Sequence, residues 1–279
     1  YIIVIYMIFN YLMKIFDCFT FNDENSILEI RLNEMNKYID YFIIVEFGEN
    51  HQGGKKGKKI DEKVLEKFKN KIRYIYVDKF NENLSSWERE NFQRNYIING
   101  LYDAEDNDIV LISDLDEIPN LENINFNNIK NNIYAFKQIN IMYKFNLVRD
   151  YNWIGTKLCK LKKLKSPQWL RSLKTHKRYN YLRIDKFFSK NYVFNFKIIE
   201  NGGWHFGWIR DIDQIIEKLN SFAHIEFNNS KFKNNNYINE CINNNINFLN
   251  TSEKLEEIQI NLLPKYLVSN KKKFNSYFK

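Results

Sequence analysis

The chain has 279 residues, of which 44% are hydrophobic and 16% aromatic, so it can bury a sizeable core and does not have the composition of a disordered protein. Its formal charge of +8 is compatible with an anionic partner, although the enrichment in Lys, Asn, Ile and Tyr indicates A- and T-rich codons, and the Lys inflated in this way accounts for part of that charge. Three widely separated cysteines, in no CxxC spacing, argue against a disulfide framework or a zinc site and favour reduced thiols in a reducing compartment.

Residues 1–12 form an apolar run that is shorter than the roughly 20 residues of a membrane-spanning helix. The run has no basic leader and no small-residue cleavage site, which argues against a signal peptide. We therefore expect an apolar extension or the remainder of a lost anchor here. A genuine strand or a membrane-contacting segment is the alternative.

From Met13 onward, strand-like apolar runs alternate with apolar stripes at helical spacing, which is typical of an α/β fold. Several of the strand-like runs are continuously apolar, as in strands buried on both faces of a parallel sheet. We predict strands at residues 14–19, 41–46, 72–77 and 108–113. We predict helices that start after Asn22 or Asp23, at about 61–69, and from the capping box of Ser85 and Glu88 to about Asp103.

The second half of the chain has a different character. Longer, aromatic and partly alternating runs predict antiparallel or mixed strands at residues 132–146 and 191–199. A Gly-Trp-His loop is predicted at 201–208, with helices at 211–224 and within the asparagine-rich 228–250. No composition break marks a boundary, so we expect residues 13–279 to form a single domain.

The segment VLISDLDEIP, residues 110–119, places three carboxylates directly after the fourth predicted strand. Because side chains alternate along an extended chain, Asp114 and Asp116 should point to one side while Leu115 points into the core. Open α/β sheets bind ligands at the carboxyl ends of their strands, and two adjacent carboxylates repel each other unless a cation neutralises them. Mn²⁺ or Mg²⁺ binds through such carboxylates together with substrate phosphate oxygens, which is the Asp-X-Asp chemistry of nucleotide-sugar transferases.

Other interpretations of these features stay open on the residues alone. Asp114 or Asp116 would cap a helix, or Asp114 would be the nucleophile of a phosphohydrolase, although such enzymes place the motif after the first strand. The stretch 157–178 carries nine Lys or Arg and no acid, and it would bind an anionic acceptor, or nucleic acid in a non-catalytic module. A charge run of this kind is more often a solvated face.

Several separated motifs occur together in a recognisable order: KIFDCFTFNDENSILEIRLNEMNKYIDYFIIVE, WERENFQRNYI, DIVLISDLDEIP, GGWHFGW and SFAHIEFN. In this respect the chain, over about residues 14–270, resembles glycosyltransferase family 17, whose best-known member adds bisecting N-acetylglucosamine to N-glycans. The resemblance implies an inverting transferase with one GT-A type, Rossmann-like domain and a mixed central sheet. It also implies a divalent metal, a glycan acceptor and a UDP-sugar donor, which is UDP-N-acetylglucosamine in the characterised members.

The resemblance suggests a role for several side chains. Asp116 would bind the metal directly, Asp114 would act through water or the ribose, and His205 would complete the site at the metal and diphosphate. The nucleotide-binding half would cover about residues 13–120 and the acceptor half about 121–270. The other expected donor-binding residues are Glu46, Arg89, Arg94 and Trp204, with Trp208 as a second ring able to stack on a sugar.

Inversion at the sugar carbon requires a general base for the acceptor hydroxyl, and a carboxylate is the usual choice. Glu200, Asp211 and Glu226 are candidates, and the resemblance favours Glu226 because it lies in SFAHIEFN. Glu117 would be a base, a partner of the metal ligands or a helix cap. We expect no nucleic-acid partner. Because no complete anchor is evident, we expect a cytoplasmic location or the cytoplasmic face of a membrane, and Golgi residence is doubtful.

Overall fold

The computed structural model describes residues 13–80, 84–174, 196–221 and 232–279. The strands are β1 (Ile15–Phe21), β2 (Tyr41–Phe47), β3 (Ile72–Val77), β4 (Ile109–Asp114), β5 (Glu117–Pro119), β6 (Ile133–Met142), β7 (Leu147–Lys160), β8 (Phe196–Ile199), β9 (Gly203–Gly207), β10 (Ile246–Asn247), β11 (Asn250–Lys254) and β12 (Glu256–Glu257). The α-helices are α1 (Asn25–Met35), α2 (Glu62–Lys67), α3 (Ser86–Asn95), α4 (Pro167–Ser172), α5 (Ile212–Ser221), α6 (Asn235–Asn243) and α7 (Lys265–Ser269).

One mixed sheet joins both halves of the chain, in the order β3-β2-β1-β4-β7-β6-β9-β5, with β8 paired to β6 and β12 to β7. The strands β1 to β4 are parallel, and β7 runs antiparallel to both β4 and β6. The prediction of an α/β fold with a mixed central sheet is therefore confirmed. Within the described part of the chain, no helix has the length and apolar character needed to cross a membrane.

The parallel strands are buried on both faces because alternate side chains enter two different core clusters. Phe19 and Phe21 pack with α1 on one face, whereas Phe16 and Cys18 pack with the 3₁₀ turn Tyr96–Gly100 and α4 on the other. A third cluster joins α5 and α6 to the end of β6. All three cysteines are described and buried, and none of them forms a disulfide bond, as expected for reduced thiols.

The strand order of the sheet reverses between β1 and β4. The chain passes from β1 outward through β2 and β3, and then returns to place β4 on the other side of β1. The carboxyl ends of β1 and β4 therefore flank a topological switch point, where open α/β sheets bind their ligands. The segment with Asp114, Asp116 and Glu117 leaves β4 at this point.

Four details differ from prediction, three of them in the second half of the chain and one in helix α3. The Gly-Trp-His segment is strand β9 and not a loop, because it pairs with β5 on one side and β6 on the other. Strand β7 was not predicted, since the polar residues Arg149, Asp150 and Asn152 interrupt the apolar pattern of its first half. The asparagine-rich segment is helical only over α6 and then forms the β10–β11 hairpin. The third helix follows its capping box at Ser85, but tightens into a 3₁₀ turn at Tyr96.

Candidate active site

A cavity of about 550 Å³ opens at the carboxyl ends of β1 and β4. One end is lined by the end of β1, the loop after β2 and helix α3, and the other end by β6, β9, α5 and Leu249. Asp114, Leu115 and Asp116 lie between these two ends. The cavity therefore has one wall from each half of the chain, and the acidic segment lies between the walls.

Arg31 of α1 holds the acidic segment in place from below. Its guanidinium is fully buried and forms a bidentate ion pair with Asp17 of β1, at 2.6 and 2.8 Å. The remaining donor positions go to the hydroxyl of Ser113 at 2.6 Å and to the backbone carbonyls of Asp114, Leu115 and Glu117 at 2.9–3.1 Å. A single buried side chain thus fixes the backbone that carries the carboxylates.

Both carboxylate oxygens of Asp114 accept hydrogen bonds from arginines that line the cavity. Arg94 of α3 donates to Oδ1 at 2.9 Å, and Arg171 of α4 donates to Oδ2 at 2.7 Å. Burial alone would raise the pKa of Asp114, but the two guanidinium groups hold that pKa well below its usual range. Asp114 is therefore ionised and serves to orient two cationic side chains beside the cavity.

Glu117 is in strand β5 and is fully buried, so it does not cap a helix. Its Oε1 accepts hydrogen bonds from Trp153 Nε1 at 2.9 Å and from Arg171 at 2.7 Å, and its Oε2 accepts one from the backbone of Asp114 at 3.2 Å. Burial raises the pKa of Glu117. The structure places Glu117 behind the cavity wall, where it orients Trp153 and Arg171.

His205 of β9 faces Asp116 across the cavity. Nε2 of His205 lies 3.9 Å from Oδ2 of Asp116, and the imidazole ring stacks on Trp153 at a centroid distance of 4.0 Å. Nδ1 lies 2.9 Å from Oδ1 of Asn140, whose amide group is oriented by its own hydrogen bond to Asp150. Nδ1 therefore carries the hydrogen, and the lone pair of Nε2 is directed to the side of Asp116.

The charge states of these two side chains follow from their burial. Burial lowers the pKa of His205 to about 4, so its ring is neutral at pH 7. Burial raises the pKa of Asp116 to about 6, even though Lys218 lies 3.8 Å from the same oxygen. A neutral imidazole nitrogen and a carboxylate oxygen thus present lone pairs to one another with no hydrogen between them.

These atoms fit a divalent metal that also binds a substrate. Adjacent ligands of an octahedral ion, each about 2.1 Å from it, lie about 3.0 Å apart, so the 3.9 Å between Nε2 of His205 and Oδ2 of Asp116 would shorten by about 1 Å when both bind one ion. In the described part of the chain, no three His, Cys, Asp or Glu side chains are grouped closely enough to hold a metal by themselves. The pair therefore suits Mn²⁺ or Mg²⁺ that takes its other ligands from phosphate oxygens and water. Asp114 would have to leave an arginine to join them.

The comparison with known proteins identifies the family of this chain. The family model described as glycosyltransferase family 17 matches residues 6–278. The chain belongs to glycosyltransferase family 17. No curated protein matches the chain. The family match begins inside the apolar segment 1–12, which lies outside the described residues.

In this family 17 chain, two of the expected donor-binding residues lie beside the cavity and not in it. Glu46 is fully buried at the end of β2, where its carboxylate accepts hydrogen bonds from the backbone of Lys59 and Ile60 and from Tyr74. Arg89 of α3 donates to the backbone carbonyl of His51 at 3.2 Å. Both side chains hold the loop between β2 and α2, and only through that loop can they affect the cavity.

Trp204 is in the core and not in the cavity, as the register of β9 explains. Trp204 is paired with Ile118 and His205 with Glu117, so the two neighbours point to opposite faces of the sheet. The indole of Trp204 donates to the backbone carbonyl of Leu262 at 2.7 Å. Trp208, with its backbone in the left-handed region at φ 61°, does line the cavity.

The expected catalytic bases are not brought together in the cavity. Glu200 is exposed and pairs with Lys137 at 3.2 Å, and Asp211 accepts from the backbone of Gln214 at the start of α5. Neither side chain lines the cavity. Glu226 lies outside the described residues, so its role stays a prediction.

Sequence reasoning did not single out several residues that the structure places at this site. Arg171 was hidden in a basic run that predicted a solvated face, and Trp153 lies in a strand that was not predicted. Asn140 and Lys218 are common residue types in this composition, and nothing local marks them. Hydrogen bonds and ion pairs with segments distant in the chain give these four side chains their places, and such contacts leave no pattern in a single sequence.

Proposed function

We propose that this chain is an inverting, metal-dependent glycosyltransferase that moves N-acetylglucosamine from UDP-N-acetylglucosamine to a glycan hydroxyl. The family membership supports the transfer of a sugar. The observation that carries the rest is the pair of Asp116 and His205, which face each other at 3.9 Å in the cavity. The donor and acceptor follow from the resemblance to the known members of the family.

The cations around the cavity suit a nucleoside diphosphate. Arg94, Arg171 and Lys218 line it, and each is already oriented by a carboxylate: Arg94 and Arg171 by Asp114, and Lys218 by Glu24 at 3.3 Å. A bound divalent metal would stabilise the negative charge that develops on the departing diphosphate. Asp116 and His205 would hold that metal, while the two arginines remain available to orient phosphate oxygens.

The end of the cavity that is lined by β6, β9 and α5 suits a sugar acceptor. Trp153 and Trp208 line this end, and aromatic rings commonly pack against the apolar faces of sugars. Two carboxylates outside the Asp-X-Asp motif line the cavity within the described ranges, Glu24 and Glu90, and both are engaged in ion pairs. We therefore keep Glu226 as the proposed base that takes the proton of the acceptor hydroxyl.

The test of this proposal is a thermal-shift and hydrolysis screen of UDP-sugars with and without Mn²⁺. We expect UDP-N-acetylglucosamine to raise the melting temperature only when Mn²⁺ is present, and free N-acetylglucosamine to have no effect. Mg²⁺ and EDTA arms separate metal dependence from ionic strength. If no UDP-sugar stabilises the protein in a metal-dependent manner, the proposal fails.

The phosphohydrolase alternative makes a different prediction for the same motif. A nucleophilic Asp114 needs an oxygen free to attack phosphorus, whereas both oxygens of Asp114 are bonded to arginines. The family membership also favours the transferase. Mass spectrometry after incubation with a phosphoryl donor would detect a phosphoaspartate at Asp114, and its presence would refute the transferase proposal.

Asn140 gives a test of the metal site that does not require turnover. Replacing Asn140 by Leu removes the acceptor that keeps hydrogen on Nδ1 of His205, so Nε2 loses its fixed orientation and basicity. We expect Mn²⁺ affinity, measured by calorimetry with UDP present, to fall by about 10- to 100-fold. The control is Asn239→Leu on the exposed face of α6, which should leave the affinity unchanged. An unchanged affinity in Asn140→Leu would remove His205 from the metal site.

A further inference from the structure

At one end of the cavity, the imidazole ring of His51 is held in one tautomer and offers a hydrogen-bond acceptor. This end is lined by the last residues of β1, by His51 in the loop after β2, and by Trp87 and Gln93 of α3. These residues all belong to the expected nucleotide-binding half of the chain. The hydrogen bonds of Gln93 determine what His51 can offer to a ligand.

The amide group of Gln93 has only one orientation that satisfies its neighbours. Gln93 is 5% exposed, and its Nε2 donates to the backbone carbonyls of Val45 at 3.2 Å and Phe21 at 3.4 Å. Its Oε1 therefore faces Nε2 of His51, at 2.8 Å. Because an amide oxygen only accepts, Nε2 of His51 must carry the hydrogen of that bond.

A neutral imidazole with hydrogen on Nε2 has a lone pair on Nδ1. Burial lowers the pKa of His51, which favours the neutral ring at pH 7. No described residue donates a hydrogen bond to Nδ1. Nδ1 is thus an acceptor that a ligand in this end of the cavity can use.

The loop that carries His51 is itself held at both ends. Oδ1 of Asn50 accepts from the backbone of Gln52 and Gly54, and Arg89 binds the carbonyl of His51. At the far end, Glu46 binds the backbone of Lys59. His51 is therefore preorganised, and hydrogen bonding to a fixed group discriminates more sharply than bonding to a mobile one.

We propose that His51 recognises the imide N3–H of uracil through Nδ1, and that Gln93 is the positioning residue that fixes the required tautomer. Cytosine presents a lone pair at N3, which would face the lone pair of Nδ1, so cytidine nucleotides are discriminated against. This inference rests on the proposed function, because it assumes that a nucleoside diphosphate binds in the cavity. It adds the residue that determines which nucleobase is accepted.

The experiment is calorimetric titration of the protein with UDP and with CDP in the presence of Mn²⁺. We expect wild-type protein to bind UDP about 10- to 100-fold more tightly than CDP, because CDP would leave the buried acceptor Nδ1 of His51 without a hydrogen-bond donor. His51→Phe keeps a planar ring but removes both nitrogens, so most of this ratio should be lost. In Gln93→Met the His51 ring can carry its hydrogen on either nitrogen, so Nδ1–H can donate to N3 of cytosine. The affinity for CDP should therefore rise relative to the affinity for UDP. Gln259→Met, at an exposed position just before the 3₁₀ turn Ile260–Leu262, is the matched control and should keep the ratio.

The ratio separates recognition from a structural effect, since a damaged loop would weaken UDP and CDP equally. The ¹⁵N chemical shifts of the His51 ring provide a second readout on the protein alone, and Nδ1 is expected to be unprotonated. A protonated Nδ1, or a UDP-to-CDP ratio that survives in His51→Phe, would overturn the role of His51 while leaving metal-dependent binding of UDP-sugars intact. If neither nucleotide binds, this inference and the proposed function both fail.

Discussion

Replacement of Asp116 by Asn is expected to abolish metal-dependent donor binding and to lower the rate of sugar transfer by on the order of 10³-fold, since the metal supplies several kcal/mol of charge stabilisation. The amide has the size of the carboxylate but no charge, so His205 would remain as a single weak ligand. Measurements of kcat/KM with UDP-N-acetylglucosamine, together with the Mn²⁺-dependent thermal shift, would detect both losses. The two readouts should fall together.

The same substitution should not unfold the protein, which makes it a clean test of function. Burial already disfavours the charged form of Asp116, as its pKa of about 6 shows, and its described ion contacts are long at 3.8 and 3.9 Å. A neutral side chain removes that penalty, so the stability at pH 7 should be equal or higher. Asp106→Asn is the matched control, because Asp106 is exposed and precedes the start of β4, at the end of the strand opposite to Asp116. Full activity in Asp116→Asn would refute the proposed metal site.

Local signals in the sequence were sufficient for part of this site. The apolar run of β4 predicted a buried strand, which the structure has. Strand alternation predicted that Asp114 and Asp116 would both reach the ligand side; both line the cavity, although residues 115–116 form a turn and not extended strand. The capping box predicted the start of α3, and both of its hydrogen bonds are present. These features depend on residues close together in the chain, so a single sequence contains the information.

Other parts of the site depend on pairing between distant segments. The two glycines before Trp204 predicted a loop, but pairing with β5 and β6 makes the segment a strand and determines that His205 enters the cavity while Trp204 enters the core. Glu46 was expected to face a nucleoside, yet the loop that follows it supplies donors to its carboxylate. The position of each side chain follows from its partners, and those partners are not identifiable from spacing alone.

The side chain of Arg31 supports both the fold and the candidate site. Of the substitutions proposed here, Arg31→Met should lower the free energy of unfolding the most. The substitution leaves Asp17 buried without its counter-charge, and the carbonyls of Asp114, Leu115 and Glu117 lose a common donor. Removing one partner of a buried, hydrogen-bonded ion pair costs about 3–5 kcal/mol. Urea unfolding monitored by tryptophan fluorescence would measure this loss as a lower midpoint.

A second arginine provides the comparison that isolates burial as the cause. Arg149 also forms an ion pair, with Glu253 at 2.7 Å, but its side chain is 35% exposed. Arg149→Met should therefore reduce the free energy of unfolding by no more than about 1 kcal/mol. Arg31→Lys keeps the charge but not the planar array of donors, so it should recover only a small part of the loss. An Arg31→Met protein as stable as Arg149→Met would mean that the acidic segment keeps its position without Arg31. In that case the backbone after β4, and not α1, would be what places Asp116 opposite His205.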